Sequence, residues 1–463
     1  MKKLFTHLLI RTLEIVLGPN HPNVGKLLHN LAKLYEAQGQ YTQAEPLYKR
    51  ALAIMEKALG PNYPDVVGII LHNFAGLYKA QDQYAQAESL YKRALAIREK
   101  VLGPNHPEVA KTLHSFAGLY NAQDQYAQAE LLYKRALAIM EKVFGPEHLE
   151  VGIILHNFAG LYRNKGQYAQ AESLYKRALA IGEKVLGPDH PDVATSLNNL
   201  AVLYGTQGEY AKAESFYKRS LAIRENALGP DHRDVARSFE NLAGLYKDQG
   251  EYTKAESFYK RSLAIRENAL GPDHRDVARS FENLAGLYKD QGEYTKAESF
   301  YKRSLAIREK VLGPDHRDVA ESFENMAGIY DAQGDYAKAE SFYKRSLAIR
   351  EKVLGPDHRD VAESFENMAG IYDAQGDYAK AESFYKRSLA IREKVLGPDH
   401  PSLAVSLHNL AWLYNTQGEY AKAESFYKRS RAISEKVLGP DHPALATSLE
   451  KWKNRKGESS GRI

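Results

Sequence analysis

Apolar residues recur along this chain in two alternating blocks, both with helical spacing. In the first block they stand one, three or four positions apart, the spacing of one helix face. Between residues 313 and 332 these residues are Val319, Ala320, Phe323, Met326, Ala327 and Tyr330. In the second block, up to residue 354, the apolar side holds Tyr336, Ala339, Tyr343, Ser346, Leu347, Val353 and Leu354. The pattern predicts a pair of amphipathic helices.

Short breaks separate the blocks. Gly334 lies between them, and glycine suits the left-handed conformation that ends many helices. Asp82 and Asp124 take its place in two copies, and aspartate tolerates that conformation better than most residues. The second block ends at Gly355-Pro356, where proline cannot continue a helix. Each pair of blocks is therefore predicted to be a helical hairpin.

The hairpin pattern is a repeat. The segment Gly313–Leu354 recurs without change as Gly355–Leu396. A Gly-Pro pair opens each unit at intervals of 42 residues, with one interval of 43; its glycines are Gly18, Gly60, Gly103, Gly145, Gly187, Gly229, Gly271, Gly313, Gly355, Gly397 and Gly439. Because a period of this length indicates stacked supersecondary units, we predict an all-α repeat array.

The repeat also divides the chain. Residues 1–18 align with the end of a unit and are expected to be a degenerate half-repeat that holds only a second helix. Residues 19–438 should form ten hairpins. Residues 439–455 resume the start of a first helix and are expected to cap the array, since an end repeat would otherwise expose its apolar face. Residues 456–463 are polar and expected to be disordered.

Composition adds few constraints. An apolar fraction of 44% with 26% charged residues is ordinary for a well-packed soluble protein, and a net charge of +5 does not by itself imply nucleic acid. The chain has no cysteine, which excludes disulfides and thiolate metal sites and fits a reducing compartment, so we expect a cytoplasmic protein. No stretch approaches the roughly 20 apolar residues of a membrane span.

Histidines recur in the turn before each first helix, at His21, His106, His148, His190, His232, His274, His316, His358, His400 and His442. Neighbouring copies are a stacked unit apart, about 10 Å or more, too far to share a zinc ion. We expect turn capping or packing. Lys-Arg pairs such as Lys344-Arg345 alternate with glutamates, which favours a salt-bridged surface over a phosphate-binding stripe. Without a phosphate loop, G-x-S-x-G or HExxH motif, no catalytic residue, metal or cofactor is predicted.

The sequence resembles the tetratricopeptide repeat family. In the unit that begins at Gly229, the matching residues are Phe239, Leu242, Ala243, Tyr246, Gly250, Tyr252, Ala255, Tyr259 and Ser262. The segments NLAxLY, AExxYKRALAI and LGPDHP are similar to the repeats of kinesin light chain and its bacterial relatives. The resemblance implies a right-handed superhelical solenoid whose first helices line a concave groove. Since no a/d heptad run accompanies the repeats, we expect a stand-alone relative or the repeat region of a larger receptor-like protein.

One asparagine recurs opposite the apolar face of the first helix, at Asn30, Asn73, Asn157, Asn199, Asn241, Asn283, Asn325, Asn367 and Asn409. Its amide is both donor and acceptor, so a row of amides can hold an extended peptide backbone regardless of sequence. The resemblance implies this role for groove asparagines. The alternative is a buried amide that ties adjacent helices together.

Small and charged residues accompany this row. Glycine stands three positions after the asparagine in six units and after Ser115, the one exception to the asparagine row, in a seventh. Each glycine costs roughly 1 kcal/mol relative to alanine, which suggests close approach by a ligand or a helix. Lys33 and Trp412 occupy that place in the first and last units, and Trp412 is predicted to be an exposed anchor. The predicted groove is basic at Lys33, Lys79, Lys111, Arg163, Arg237 and Arg279 and acidic at Glu321, Glu324, Asp331, Glu363, Glu366 and Asp373.

These observations predict a non-catalytic scaffold or adaptor that binds peptide segments of partner proteins. A self-associating array, stacked end to end or serving a larger receptor or effector system, is the alternative. RNA recognition would need variable residues that specify one base per repeat. The two identical units are acidic at those positions, so no nucleic acid partner is expected.

Overall fold

The computed structural model describes residues 2–37, 40–59, 64–81, 83–123, 125–396, 398 and 400–438. These residues form 21 helices and, within this part of the chain, no strand, as the all-α prediction requires. The first helix is α1 (Lys2–Leu17). The predicted capping helix, the C-terminal tail, Tyr63, Asp82, Asp124 and His442 lie outside the described residues.

Helices of 15 to 17 residues alternate with helices of 19 residues. The shorter, first helices of the units are α2 (Pro22–Glu36), α4 (Pro64–Ala80), α6 (Pro107–Ala122), α8 (Leu149–Asn164), α10 (Pro191–Thr206), α12 (Arg233–Asp248), α14 (Arg275–Asp290), α16 (Arg317–Ala332), α18 (Arg359–Ala374) and α20 (Pro401–Thr416). The second helices are α3 (Tyr41–Leu59), α5 (Tyr84–Leu102), α7 (Tyr126–Phe144), α9 (Tyr168–Leu186), α11 (Tyr210–Leu228), α13 (Tyr252–Leu270), α15 (Tyr294–Leu312), α17 (Tyr336–Leu354), α19 (Tyr378–Leu396) and α21 (Tyr420–Leu438).

The chain divides into two compact regions, residues 1–164 and 165–463. In the first region α2 packs with α3, α4 with α5 and α6 with α7, and each hairpin packs on the next helix. One apolar cluster there extends from Ile10 to Leu119. In the second region the packed pairs run from α10 with α11 to α20 with α21. Its repeats have separate small clusters, such as the one formed by Val319, Ala320, Phe323 and Ile349.

The turns follow the sequence signals. Gly334 has φ +75° and Gly355 has φ +85°, both in the left-handed half of the map that glycine tolerates. The turn histidines begin the first helices as N-cap residues. In His316, for example, Nδ1 accepts a hydrogen bond of 3.1 Å from the backbone N–H of Asp318. Capping of this kind satisfies one of the orphan amides at a helix start, so the structural interpretation of the histidines is confirmed.

The predicted core is confirmed for the first helix and needs one correction for the second. The six residues of the predicted apolar face of α16 are all buried: Val319, Ala320, Phe323, Met326, Ala327 and Tyr330. In α17, however, Val353 is 49% exposed, whereas Arg350 is only 7% exposed. A charged side chain thus occupies an interior position where the pattern placed none. Within the described residues, no helix is long and apolar enough to cross a membrane.

Candidate functional site

The predicted asparagines share one side of the first helices. We call this side the asparagine face; in each unit it carries the asparagine, the residue four positions earlier, and the residues three and six positions later. In α16 these are Asn325, Glu321, Gly328 and Asp331. The asparagines are half-buried, except Asn30 and Asn157, which are exposed. The face therefore presents amides that ligands can reach.

Three of the asparagines are committed to the preceding first helix. Asn73 Nδ2 lies 2.8 Å from Nε2 of His29, and Asn157 Nδ2 lies 2.7 Å from Nε2 of His114. Asn241 Nδ2 donates to Oδ1 of Asn198 at 2.5 Å. At these positions the amide ties neighbouring hairpins together, as the alternative interpretation predicts. The bonds also place consecutive first helices side by side along the face.

Other asparagines keep their amides free. Within the described part of the chain, the side chains of Asn283, Asn325, Asn367 and Asn409 form no hydrogen bond. In the preceding hairpin, the place of His29 or Asn198 is taken by glutamate in each case: Glu240, Glu282, Glu324 and Glu366. These carboxylates point elsewhere, and the amides have no partner.

The glutamates are held by the buried arginine that the pattern did not reveal. Arg350 Nη2 donates to Oε2 of Glu324 at 2.7 Å, and Arg350 Nη1 donates to Oγ of Ser364 in the next hairpin at 3.0 Å. Ser364 Oγ in turn donates to Oε1 of Glu324 at 2.9 Å. We call this arrangement the Glu–Arg–Ser clasp. Its four copies are Glu240/Arg266/Ser280, Glu282/Arg308/Ser322, Glu324/Arg350/Ser364 and Glu366/Arg392/Ser406.

Sequence reasoning counted these glutamates as groove charge, and that expectation is wrong. The Glu324 side chain is 12% exposed and the Arg350 side chain 9% exposed, so the pair lies between hairpins rather than on the face. A signal was present in the sequence. Arginine follows each of these glutamates by 26 residues and serine follows it by 40. Where histidine takes the place of the glutamate, the position 26 residues later varies, and it holds Met55, Arg98, Met140, Gly182 or Ser434.

The clasps differ in electrostatics according to the residue beside them. Burial raises the pKa of Glu282 to about 7, against the pull of Arg308 and with the help of nearby Glu321. Burial likewise raises the pKa of Glu324, and Glu363 adds to the effect. Beside Glu240 the neighbouring residue is a cation instead of a glutamate, since Arg279 Nη2 lies 3.7 Å from Oε2 of Glu240.

The glycines of the face leave space above tyrosine hydroxyls. A Cβ at Gly286 would lie 3.8 Å from the Tyr301 hydroxyl, and a Cβ at Gly370 would meet nothing within 4 Å. Two other glycines instead make room for a lysine of the preceding hairpin, since Lys79 Nζ would lie 2.9 Å from a Cβ at Gly118 and Lys289 Nζ 3.0 Å from one at Gly328. In some hairpins a lysine of the preceding hairpin therefore occupies the space beside the glycine, and in others that space is open.

The predicted basic residues fall into two groups. Lys111 pairs with Glu108 at 2.8 Å, Arg237 with Asp234 at 3.3 Å and Arg279 with Glu240 at 3.7 Å. Arg163 Nη2 donates to Oδ1 of Asn164 at 3.4 Å. Lys33 and Lys79, in contrast, form no hydrogen bond or ion pair with any residue that the structure describes. Burial lowers the pKa of Lys79.

Trp412 departs from its prediction, since it is half-buried rather than exposed. On the second helices, Lys344 pairs with Glu340 at 2.5 Å and Arg345 lies 3.9 Å from the ring centre of Phe323. This arrangement confirms a salt-bridged surface there. Across the described ranges, no group of three or more His, Cys, Asp or Glu side chains could hold a metal ion.

Stacked two-helix repeats with shared junctions define the class of α-solenoid repeat proteins. The tetratricopeptide repeat family model matches residues 6–57, 66–142, 108–181, 150–226, 207–268, 234–310, 276–352, 318–394 and 360–436. The chain therefore belongs to the tetratricopeptide repeat family. Proteins of this family generally act as non-catalytic scaffolds for protein–protein interaction.

Solved structures of similar proteins include the kinesin light chain-type, nearly identical TPR-like repeats of Podosopora anserina, at 28% identity and TM-score 0.38, covering 44% of this chain and 98% of that one. BtubC (BKLC) from P. vanneervenii matches at 26% identity and TM-score 0.40, covering 51% of this chain and 92% of that one. The apo form of RapI matches at 18% identity and TM-score 0.42, covering 62% and 98%. No curated protein matches the chain.

Proposed function

We propose that this protein is a non-catalytic interaction scaffold that binds extended peptide segments of partner proteins along the asparagine face. The observation that carries the proposal is the row of free amides at Asn283, Asn325 and Asn367. Each amide can donate to a peptide carbonyl and accept from a peptide N–H. Such contacts recognise the backbone, so a scaffold of this kind can hold different sequences.

The clasps support the proposal because they separate structural and binding roles. Glu240, Glu282 and Glu324 could accept from the asparagines that follow them, as Asn198 does from Asn241, but Arg266, Arg308 and Arg350 hold the glutamates instead. An unpaired polar group costs free energy when it is buried without a partner. Half-burial of these amides, two of them beside the space left at Gly286 and Gly370, is suited to a ligand that completes their hydrogen bonds.

A matched pair of variants tests the proposal on an array of immobilised peptides of unrelated sequence. The first variant, N283A/N325A/N367A, removes free amides and should lower the affinity of bound peptides by about tenfold, while its thermal melting stays close to that of the wild type. The control, N73A/N157A/N241A, removes amides that bind neighbouring hairpins. It should melt at a lower temperature and retain more peptide binding. Equal peptide affinity for wild type and first variant would contradict the proposal.

A further inference from the structure

The four nearly uniform hairpins divide into two charge types. The first helices α12 and α14 are identical to each other, as are α16 and α18, and the two types differ at five positions. Two of these are buried apolar exchanges, of Leu242 for Met326 and Leu245 for Ile329. The other three change charge on the side that holds the asparagine: Arg237 for Glu321, Lys247 for Asp331 and Asp248 for Ala332. The interior is thus kept, while the asparagine face is reversed from basic to acidic.

The acidic side chains have incomplete partners. Glu321 is 55% exposed and reaches Arg308 at 3.3 Å, and Glu363 is 57% exposed and reaches Arg350 only at 3.9 Å. Both arginines are already engaged by clasp glutamates. Asp373 forms no ion pair with a described residue, and burial raises its pKa. Burial also raises the pKa of Asp331, although the Lys289 ammonium of the preceding hairpin opposes this rise. The surface therefore holds excess negative charge, most of all in the second hairpin, where Asp331 takes the place of Lys289. In such partly desolvated positions an added cation gains most.

Two buried tyrosines of the same hairpins have hydroxyls without a partner in the described part of the chain. Tyr343 is 8% exposed and Tyr385 is 7% exposed, and neither hydroxyl has a hydrogen-bond partner among the described residues. Burial, Asp373 and Glu366 together raise the pKa of Tyr385 to about 12. The pKa of Tyr343 is raised in the same way by burial, Asp331 and Glu324. The carboxylates that shift each pKa belong to the same hairpin as the tyrosine, and each hydroxyl is an unused donor and acceptor.

We propose that the asparagine face of residues 313–396 binds a lysine- or arginine-rich peptide segment at two subsites, one in each identical hairpin. This inference rests on the proposed function and adds the chemical class of the ligand. In each subsite the carboxylates take the cationic side chains, while Asn325 or Asn367 and the tyrosine hydroxyl take the peptide backbone. The arginines at the start of the acidic helices, Arg317 and Arg359, have equivalents at Arg233 and Arg275 in the basic helices. They therefore do not change the difference in charge between the two types of hairpin.

Fluorescence anisotropy with the full chain tests this preference. Three labelled peptides of equal length serve as probes: one rich in lysine and arginine, one rich in aspartate and glutamate, and one of serine and glycine. We expect the basic peptide to bind most tightly and to lose affinity as salt is added, because exposed charges more than about 10 Å apart are screened at 0.1 M salt. Binding of the basic peptide no tighter than that of the acidic one would overturn the inference.

A charge-exchange variant locates the preference on the face. Glu321→Arg, Asp331→Lys, Glu363→Arg and Asp373→Lys install the residues that this chain itself carries at Arg279 and Lys289. The variant keeps every clasp glutamate and should lower basic-peptide affinity by about tenfold or more while raising acidic-peptide affinity. Circular dichroism and thermal melting verify its fold. Unchanged basic-peptide affinity in a folded variant would place that binding elsewhere.

The double variant Asn325→Ala/Asn367→Ala separates this inference from the proposed function. If both hold, the double variant weakens all three peptides and the charge-exchange variant weakens only the basic one. Loss on charge exchange without any effect of the asparagine substitutions would retain the basic ligand and overturn backbone recognition. The reverse result would retain peptide binding through the amides and overturn the charge preference.

Discussion

The residue that precedes the asparagine in one hairpin decides whether the asparagine amide of the next hairpin is hydrogen-bonded within the protein or free. Histidine at His29 or His114 accepts from the asparagine of the next hairpin, and Asn198 does the same. Glutamate at Glu282 or Glu324 is held by an arginine instead. One side chain thus converts a structural amide into a free one, although the asparagine itself is the same residue in both settings.

At the level of single residues, Glu282 leads to a prediction about the pH dependence of stability. Folding raises its pKa from 4.5 to about 7, so the folded state binds this proton more tightly than the unfolded state. Its contribution should therefore make the free energy of unfolding fall as pH rises from about 4.5 to about 7. Glu321→Arg replaces a repelling anion by the residue found at Arg279. Urea denaturation should show this variant gaining most stability over wild type near pH 8 and least near pH 5.

The control for this measurement is Asp331→Lys. It changes charge on the same face, but Asp331 is not among the groups that shift the pKa of Glu282. Its stability relative to wild type should vary less between the two pH values. A constant difference between Glu321→Arg and wild type at all pH values would show that Glu321 does not act through the clasp.

At the scale of elements, the junctions between successive hairpins include two contrasting kinds. In one kind the interior holds a clasp such as Glu324, Arg350 and Ser364. In the other, Met55 and Ile70 are fully buried in a single apolar cluster. Buried ion pairs are expensive to desolvate and well-packed apolar replacements are often as stable. If a hairpin with clasp residues packed on one with apolar junction residues, a charged side chain would be buried without its partner. This cost favours packing of each hairpin on its native neighbour.

Substitution of one junction by the other tests this account. Arg350→Met alone should lower the free energy of unfolding by about 3–5 kcal/mol, because Glu324 is left buried without a cation. The triple variant Glu324→His/Arg350→Met/Ser364→Ile copies the junction of His114, Met140 and Ile154 and should recover most of that loss. Urea denaturation measures both. A triple variant no more stable than Arg350→Met would mean that the two junctions are not interchangeable units.

The junctions also show what sequence alone could predict. Helix positions, the turn at Gly334 and the location of Asn325 on its helix follow from apolar spacing and glycine. Burial of Arg350 does not, since a charged residue on a helix is ordinarily assigned to solvent. Its role depends on Glu324 and on a hydroxyl in the following hairpin, and such contacts between units carry no local signal. The same limit applies to Trp412, whose half-burial is set by neighbouring residues.

For the whole molecule, repetition makes length adjustable. Each hairpin of an α-solenoid contacts its neighbours only, so stability is approximately a sum of hairpin and junction terms. The segments 313–354 and 355–396 are identical, and Ser364 and Ser406 stand at equivalent positions in the helices that follow. Because α17 is identical to α19, and α16 to α18, removal of residues 355–396 would leave α20 meeting the same residues on its N-terminal side as before.

Removal of residues 355–396 should consequently give a folded, shorter protein. Circular dichroism should show unchanged ellipticity per residue, and the urea m-value should fall because less surface is exposed on unfolding. The basic peptide should bind more weakly, since one of two subsites is lost. Loss of helicity would contradict the additive description.

The perfect match between the two clasp-bearing hairpins also matters for inheritance. An unequal exchange between their coding segments would add or delete a hairpin, and the product would contain no junction that the protein does not already have. Copy number could then change in one genetic event while folding is preserved. Each added copy would lengthen the acidic tract by one subsite, so the reach of the protein along a basic partner could vary between close descendants of a single gene.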